Sequence, residues 1–535
     1  MINLAKSNLK IFDRVVPKPK EDRAVSKMYQ THKYWARKPW YMVSEYIKFF
    51  TDPGDTVIDV FAGSGVTGVE AIANNRKAHL IDLNPIASFV TKMTALSPVD
   101  LEALRNTFEQ IQAKTKKHIL KLYEGSSCKD CKEIPYARHY LRGPKFKKIL
   151  VKEDCYRCGS TFDSRPLTGA ELKHLATIEK KRNSRWYPKF KFPEKFEKDR
   201  VTYKGIKHVY QLFTKRNLFA LSLIFHEINK IDDPIIKNLL RLAFSNTLIH
   251  VSKLKAENVR PLAVNNYWVP DDWIEENVWF RFEERFNRLL EAKRISNQRI
   301  TQRQAENLRV YTQSSTNLSN IRSGSVDYCF TDPPYGDSIQ YSELSMVWNA
   351  WLGEIFDNES EVIINRTQNK AESEYQKLLT DVFSETHRVL KPGSYMTVCF
   401  HNKDSKVWSA ILQACRDAGF LYINIVPQEP ISKSFTQLWA ENSPKTDLLM
   451  NFVKPERNSR EPELIYTKLG GVNQLVKEAV SVLKTERREV HLGHVYDHVL
   501  SRVIGYMFYT KGSDLDYDAY SLPKIKNALQ DYATK

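Results

Sequence analysis

Nowhere in the 535 residues do 18 apolar residues run together; the longest approach, near Leu218 to Phe225, is broken by Ser222. No membrane-spanning helix is therefore expected. The opening stretch, Met1 to Arg14, mixes Lys, Asn and Asp with apolar side chains and does not have the shape of a secretory signal. Glycine (19) and proline (23) are too few for collagen-like or Pro/Gly-rich low-complexity chains. Cysteine is scarce and odd in number, seven in all. With no signal, that excludes a secreted disulfide framework and predicts a cytoplasmic protein.

Acidic residues are in deficit as well, 63 against 81 Lys and Arg, for a net charge of +18. The surplus is localised. Residues 101–300 carry 17 excess positive charges, whereas residues 1–100 carry +4 and residues 301–535 carry −3. A basic segment between near-neutral ones predicts a polyanion-binding region; a solvated basic face is the plainer alternative. The remaining composition, 42% hydrophobic and 27% charged, is that of an ordinary globular protein with room for two or three domains.

Hydrophobic patterning predicts a helix over 39–50, a buried β-branched strand at Thr56 to Phe61, a glycine turn, a helix from Val66 to Asn74, and a second strand at Ala78 to Asp82. This is the start of a doubly wound α/β domain. The rhythm breaks at about residue 100 and resumes near Leu308. Strands at Val326 to Thr331, Ser394 to Phe400, Leu421 to Val426 and Asp447 to Phe452 are then interleaved with helices. The expected organisation is residues 1–99 and 306–454 as two parts of one α/β domain, 100–305 as an insertion, and 455–535 as a helical tail.

Gly63-Ser64-Gly65-Val66-Thr67-Gly68 is a G-x-G-x-x-G turn between a strand and a helix, and Asp82 follows Gly63 by 19 positions. Glycines let a ligand approach the backbone, and an acid at the end of the second strand suits ribose hydroxyls. A dinucleotide and S-adenosylmethionine (SAM) both fit that pattern. Asp59 just before the turn would repel a pyrophosphate but could pair with the cationic methionine end of SAM, with Phe61 as an apolar wall. Farther on, Thr331-Asp332-Pro333-Pro334-Tyr335-Gly336 follows an apolar strand. Asp332 and the Pro333 carbonyl could accept hydrogen bonds from an amino group on a planar ring, freeing its lone pair. Pro333 and Pro334 would stiffen the loop, and Tyr335 could stack on a flipped base.

The pairing of FAGSG with DPPY resembles the DNA amino-methyltransferases that make N6-methyladenine or N4-methylcytosine, with the alpha-like order of cofactor loop, insert, then DPPY. His32 to Trp40 resembles the motif that precedes the cofactor loop in that family and helps to close the SAM pocket. More narrowly, Phe213 to Leu218, Asn277-Val278-Trp279, Tyr335-Gly336-Asp337 and Tyr341 to Leu344 are similar to the zinc-ribbon adenine-specific DNA methylases. The resemblance spans about residues 28–452. It implies a Rossmann-like SAM-dependent fold with a target-recognition insert. It also implies that Asp59, Phe61, Gly63, Gly65, Lys38 and Pro39 line SAM, that Asp82 holds its ribose, and that Asp332, Pro333, Pro334 and Tyr335 hold the target base. The implied substrate is duplex DNA with the target base flipped out. No nuclease signature is recognised, so any restriction or defence subunit would be a separate chain.

Cys128-x2-Cys131-x23-Cys155-x2-Cys158 has the spacing of a four-thiolate zinc ribbon, expected at about residues 122–165. Lys132 stands where Gly159 stands in the second knuckle, a less usual turn residue. Arg142, Lys145, Lys147 and Lys148 are expected to face phosphate. Trp186 to Pro193 interleaves aromatics with lysines, suiting either base stacking or packing on the core. His401 follows a strand and is a weaker site candidate. Three other readings stay open: a tRNA guanine-N2 methyltransferase, a nucleic-acid-binding protein without catalysis, and a protein-glutamine methyltransferase, whose class typically has Asn where Asp332 stands.

Overall fold

A computed structural model of the chain describes residues 10–12, 16–125, 128–133, 135–155, 157–161, 163–194, 196–197, 204–262, 267–354, 356–400, 402, 404–428, 447–456, 469–485, 492–510 and 522–533. His401 lies outside the described residues. Two helices lead in, α1 (Asp22–Tyr29) and α2 (Trp40–Phe50). Then come β1 (Thr56–Asp59), α3 (Val66–Ala73), β2 (Lys77–Asp82) and α4 (Pro85–Ala95). The chain departs through α5 (Leu101–Leu120), β3 (Tyr136–Arg142), β4 (Leu150–Asp154), β5 (Arg165–Pro166), α6 (Gly169–Lys180), α7 (Lys215–Asn229), α8 (Pro234–Leu248), β6 (Trp273–Glu276) and α9 (Val278–Arg299). It returns by α10 (Gln302–Ala305), β7 (Leu308–Thr312), β8 (Val326–Thr331), α11 (Tyr341–Leu352), α12 (Glu372–Val389), β9 (Leu390–Phe400), α13 (Ser405–Asp417), β10 (Leu421–Gln428) and β11 (Asp447–Val453). Helices α14 (Val472–Thr485), α15 (Leu492–Thr510) and α16 (Leu522–Ala533) follow.

Seven strands form one sheet in the order β10-β11-β9-β8-β1-β2-β7. The pairs β7/β2, β2/β1, β1/β8 and β8/β9 are parallel. Only β11 runs against its neighbours β9 and β10. The order reverses between β1 and β8, so the crevice beyond their carboxyl ends is where such a sheet takes its ligand. Antiparallel β11 starts at that same edge, with Leu448 opposite Phe400 at the end of β9.

The insertion builds a second, antiparallel sheet in the order β5-β4-β3-β6. Its entry and exit are stitched together. Lys293 Nζ, fully buried, donates to the carbonyls of Thr94 (3.0 Å) and Leu96 (2.8 Å), and Ser97 Oγ donates to the Ile300 carbonyl (2.7 Å). The core of α5, α7, α8 and α9 is continuous with α4 and α11. At its centre, buried Trp351 of α11 meets the rings of Phe213, Phe225 and Phe244 at 5.3–6.2 Å. The C-terminal helices pack on the β10 face of the large sheet and share its core through Val480, Val499 and Phe508. Tyr509 OH also donates to the Tyr422 carbonyl (3.0 Å).

Candidate active site

The glycine turn follows from two close approaches. Gly65 sits at φ +79°, and a Cβ there would come within 2.5 Å of Thr91 on α4. A Cβ on Gly68 would come within 2.4 Å of Leu80 on β2. Gly63, at φ +52°, faces the ring of Tyr34, 3.0 Å from where its Cβ would stand. Asp59, at the end of β1, does not extend freely into the crevice. Its Oδ1 accepts from the Phe61 amide (3.0 Å) and Thr331 Oγ1 (2.8 Å), and its Oδ2 accepts from Thr67 Oγ1 (2.6 Å). Burial pushes its carboxyl up to about 6. One side chain therefore ties the glycine turn, α3 and the strand before DPPY together. Asp82 accepts from the amides of Gly63 (2.7 Å) and Asn84 (2.8 Å), and burial raises it to about 7.

The DPPY segment is braced from three sides. Tyr375 OH donates to the Pro334 carbonyl (2.6 Å), Asn402 Nδ2 to the Tyr335 carbonyl (3.2 Å), and the Ile364 amide to the Gly336 carbonyl (3.2 Å). The Pro333 carbonyl has no hydrogen-bond partner among the described residues. Tyr335 OH donates to Asp332 Oδ1 (2.5 Å), and its ring meets Phe400 edge-on at 5.1 Å. Lys38 does not turn to the glycine loop. Its ammonium donates to Tyr335 OH (2.7 Å) and lies 3.4 Å from Asp332 Oδ2 and 3.2 Å from Asp447 Oδ2. Burial raises the Asp332 carboxyl to about 7, with Lys38 and Tyr335 opposing the rise.

These groups share one cavity of about 880 Å³, open mouth included. Its wall contains Lys38, Asp59, Phe61, Gly63, Asp82, Asp332 and Pro334 from the expected set. Pro39, Gly65, Pro333 and Tyr335 stand behind it; Pro39 is the N-cap of α2. Tyr34, from the segment His32 to Trp40, and Tyr341 also line the cavity, as do Ser314, Ser315, Phe356 and Glu361, to which the sequence did not point. Ser315 Oγ donates to the Val60 carbonyl (2.6 Å), bringing the loop after β7 to the glycine turn. Glu361 accepts from the Ser342 amide (2.9 Å), and burial raises it to about 7. The sequence signal for Tyr34 and Tyr341 was the family resemblance of His32 to Trp40 and Tyr341 to Leu344; the other four had none.

The four paired cysteines converge, with all sulfurs within 4.8 Å of one another. Cys128 Sγ lies 3.8 Å from Cys158 Sγ, and Cys131 Sγ lies 3.4 Å from Cys155 Sγ. Tetrahedral zinc–thiolate bonds of about 2.3 Å call for sulfurs roughly 3.8 Å apart, so the set fits a closed zinc site. The two knuckles are alike. The amides of Lys132 and Gly159 donate to the carbonyls of Cys128 (3.0 Å) and Cys155 (2.9 Å), at φ +63° and +74°. Lys132 thus adopts the left-handed turn without glycine. Arg142 departs from expectation. Half-buried, it pairs with the buried Glu275 (2.6 Å), which also binds Arg216 and Thr214, so its guanidinium is committed to an interior carboxylate and not to phosphate. The Trp186–Pro193 segment is divided between core and surface. Phe192 is in the core, while Trp186, Phe190, Lys189 and Lys191 are exposed, Trp186 with one face on Phe225 (5.3 Å).

The sheet order, the lone reversed strand and the glycine-turn crevice define the class: a Rossmann-like, SAM-dependent methyltransferase fold. The chain belongs to the DNA methylase family of N6/N4 methyltransferases, whose profile matches residues 5–90 and 326–524, more than half of its length. The match omits the whole insertion and takes in most of the C-terminal helices. Comparison with curated proteins found no match. Among solved structures, the chain is similar to a provisionally named rRNA-methylase from Clostridium thermocellum (8% identity, 77% of this chain and 95% of that one, TM-score 0.25). It is also similar to a provisionally named DNA modification methylase from Thermus thermophilus (16% identity, 31% and 58%, TM-score 0.17). A third is a 16S rRNA (adenine(1408)-N(1))-methyltransferase from Catenulisporales acidiphilia, a point mutant solved with its cosubstrate SAM (15% identity, 29% and 65%, TM-score 0.17). No described helix is long and apolar enough to cross a membrane.

Proposed function

We propose that the protein transfers a methyl group from SAM to the exocyclic N6 of adenine in duplex DNA, with the target base flipped into the cavity. The observation that carries this reading is the placement of Asp332 in the wall of the crevice built on the glycine turn. SAM would supply an electrophilic methyl on a sulfonium. The glycine turn, Phe61 and Asp82 suit its adenosine and ribose. Asp332 and the Pro333 carbonyl would accept the two N–H groups of the amine, drawing its nitrogen toward tetrahedral geometry and exposing its lone pair. Bracing by Tyr375 and Asn402 fixes those acceptors in advance. Cys128, Cys131, Cys155 and Cys158 would hold one structural zinc, since four thiolates leave no open position for chemistry.

The test is transfer from labelled SAM to DNA, followed by digestion and mass spectrometry of the nucleosides. N6-methyladenine is expected. N4-methylcytosine would reassign the base, and methylation of tRNA alone would reassign the substrate. Asp332→Ala should abolish transfer while SAM affinity stays near wild type; normal turnover in that variant would overturn the mechanism.

A further inference from the structure

Lys38 is the one cation held directly against the DPPY motif among the described residues, and the acceptor role of Asp332 does not by itself explain it. The ammonium comes from the segment just before α2 and its side chain is only 8% exposed. It is shared between Asp332 Oδ2 (3.4 Å), Asp447 Oδ2 (3.2 Å) and Tyr335 OH (2.7 Å). Asp447 is 409 positions away in sequence. It arrives because β11 is antiparallel and so begins at the edge where β8 ends.

A carboxyl accepts hydrogen bonds from an amine most strongly when ionised, because protonation turns one of its oxygens into a donor and leaves the other a weaker acceptor. Desolvation works against that, and a nearby ammonium works for it. An ammonium bound to Asp332 alone would also compete with the substrate's N–H groups. A second carboxylate that holds the ammonium to one side removes the competition. We propose that Lys38 and Asp447 are a positioning pair for Asp332: Lys38 keeps the buried carboxylate charged, and Asp447 draws the ammonium aside so that Asp332 can receive the amine. This rests on the reading of Asp332 as amine acceptor.

The pair makes a prediction that a purely structural tether does not. The groups facing Asp332 and Lys38 are Tyr335 from the same loop, Tyr341 from α11, Asp447 from β11 and Cys399 from β9. Burial drives both tyrosines and the thiol upward, so they stay neutral in the working range. Removing Lys38 takes away the cation that lowers Asp332. Removing the Asp447 charge takes away an anion that raises it, and commits Lys38 to Asp332. The two changes must move Asp332 in opposite directions.

The experiment uses the full-length protein carrying carboxyl-13C aspartate, with the Asp332 resonance assigned by its loss in Asp332→Asn and followed by NMR against pH. Lys38→Met should raise the Asp332 midpoint by about one pH unit or more, a tenfold change in its ionisation constant. Asp447→Asn should lower it, and Lys38→Arg should leave it near wild type. An unmoved midpoint in Lys38→Met, or movement of both variants in one direction, overturns the proposal. If Lys38→Met fails to fold, the isosteric Asp447→Asn decides alone, and no downward movement overturns it. The titration needs no turnover, so a protein that methylates no DNA would refute the proposed function and leave this test standing. In an active protein, Asp447→Asn should lower kcat at pH 8.5 with SAM affinity unchanged; an unchanged kcat would also count against the pair.

Discussion

Asp59→Asn should make the SAM-free protein more stable at neutral pH. The carboxyl is buried and its midpoint lies at about 6 against an ordinary 3.8. Keeping it ionised at pH 7.5 therefore costs about 3 kcal/mol, at 1.36 kcal/mol per pH unit of displacement. Asparagine preserves the connections: its oxygen can accept from the Phe61 amide and Thr331 Oγ1, and its amide can donate to the Thr67 hydroxyl. A raised carboxyl stabilises the fold fully below its unfolded value and loses that contribution as pH rises through its folded value. The gain from Asn should thus be about 3 kcal/mol at pH 7.5 and about half that at pH 5. Urea midpoints of both proteins at the two pH values measure it. The same change removes a negative charge from the wall proposed to face the cofactor's cationic end, so SAM affinity should weaken. A destabilised variant at pH 7.5, or an equal gain at both pH values, would show that Asp59 is not held as an ionised acceptor.

Three further outcomes are expected. Protein purified without chelators should contain one zinc per chain by elemental analysis; Cys155→Ser/Cys158→Ser should lose it and lose DNA affinity before SAM affinity, because the knuckles and the glycine turn belong to separate sheets. DNA affinity should fall steeply with salt, each neutralised phosphate contributing about −0.9 to the log–log slope. Charge reversal at exposed Lys189 and Lys191 should weaken binding and flatten that slope, and a double reversal that binds as tightly as wild type would move the contact surface elsewhere. Trp351→Ala should cost about 3–5 kcal/mol, the scale of a deleted core aromatic, read from thermal or urea unfolding.

Much of the large sheet is visible in the sequence, because its strands are short apolar runs set off by turns. Val326 to Thr331 and Asp447 to Phe452 lie within a residue of where periodicity places them. The glycine turn and DPPY are legible for the same local reason. What escaped depends on partners distant in the chain. Asp59 reads as a free acid until Thr331, 272 positions on, is seen to donate to it. Arg142 reads as a surface cation until Glu275 arrives on β6, a strand that no local spacing connects to the cysteine knuckles. Lys38 reads as a cofactor-pocket residue until β11 brings Asp447 to it. In each case charge and residue type were apparent, and only the topology supplied the partner.

On the proposal that the insertion reads the target, the core it shares with α11 bears on how new specificities can be made. Residues 101–300 look like a cassette in sequence, but Trp351 on α11 is roofed by that cassette's own aromatics. Replacing the insertion alone would leave the Trp351 indole exposed, with a hole where Phe213, Phe225 and Phe244 had met it. A transplant that works must bring α11 with its insertion, and α11 begins six residues after Tyr335. The donor's target preference and the host's chemistry would therefore have to be joined inside the loop between DPPY and Tyr341, and that short stretch is the practical graft point for recombining members of this family.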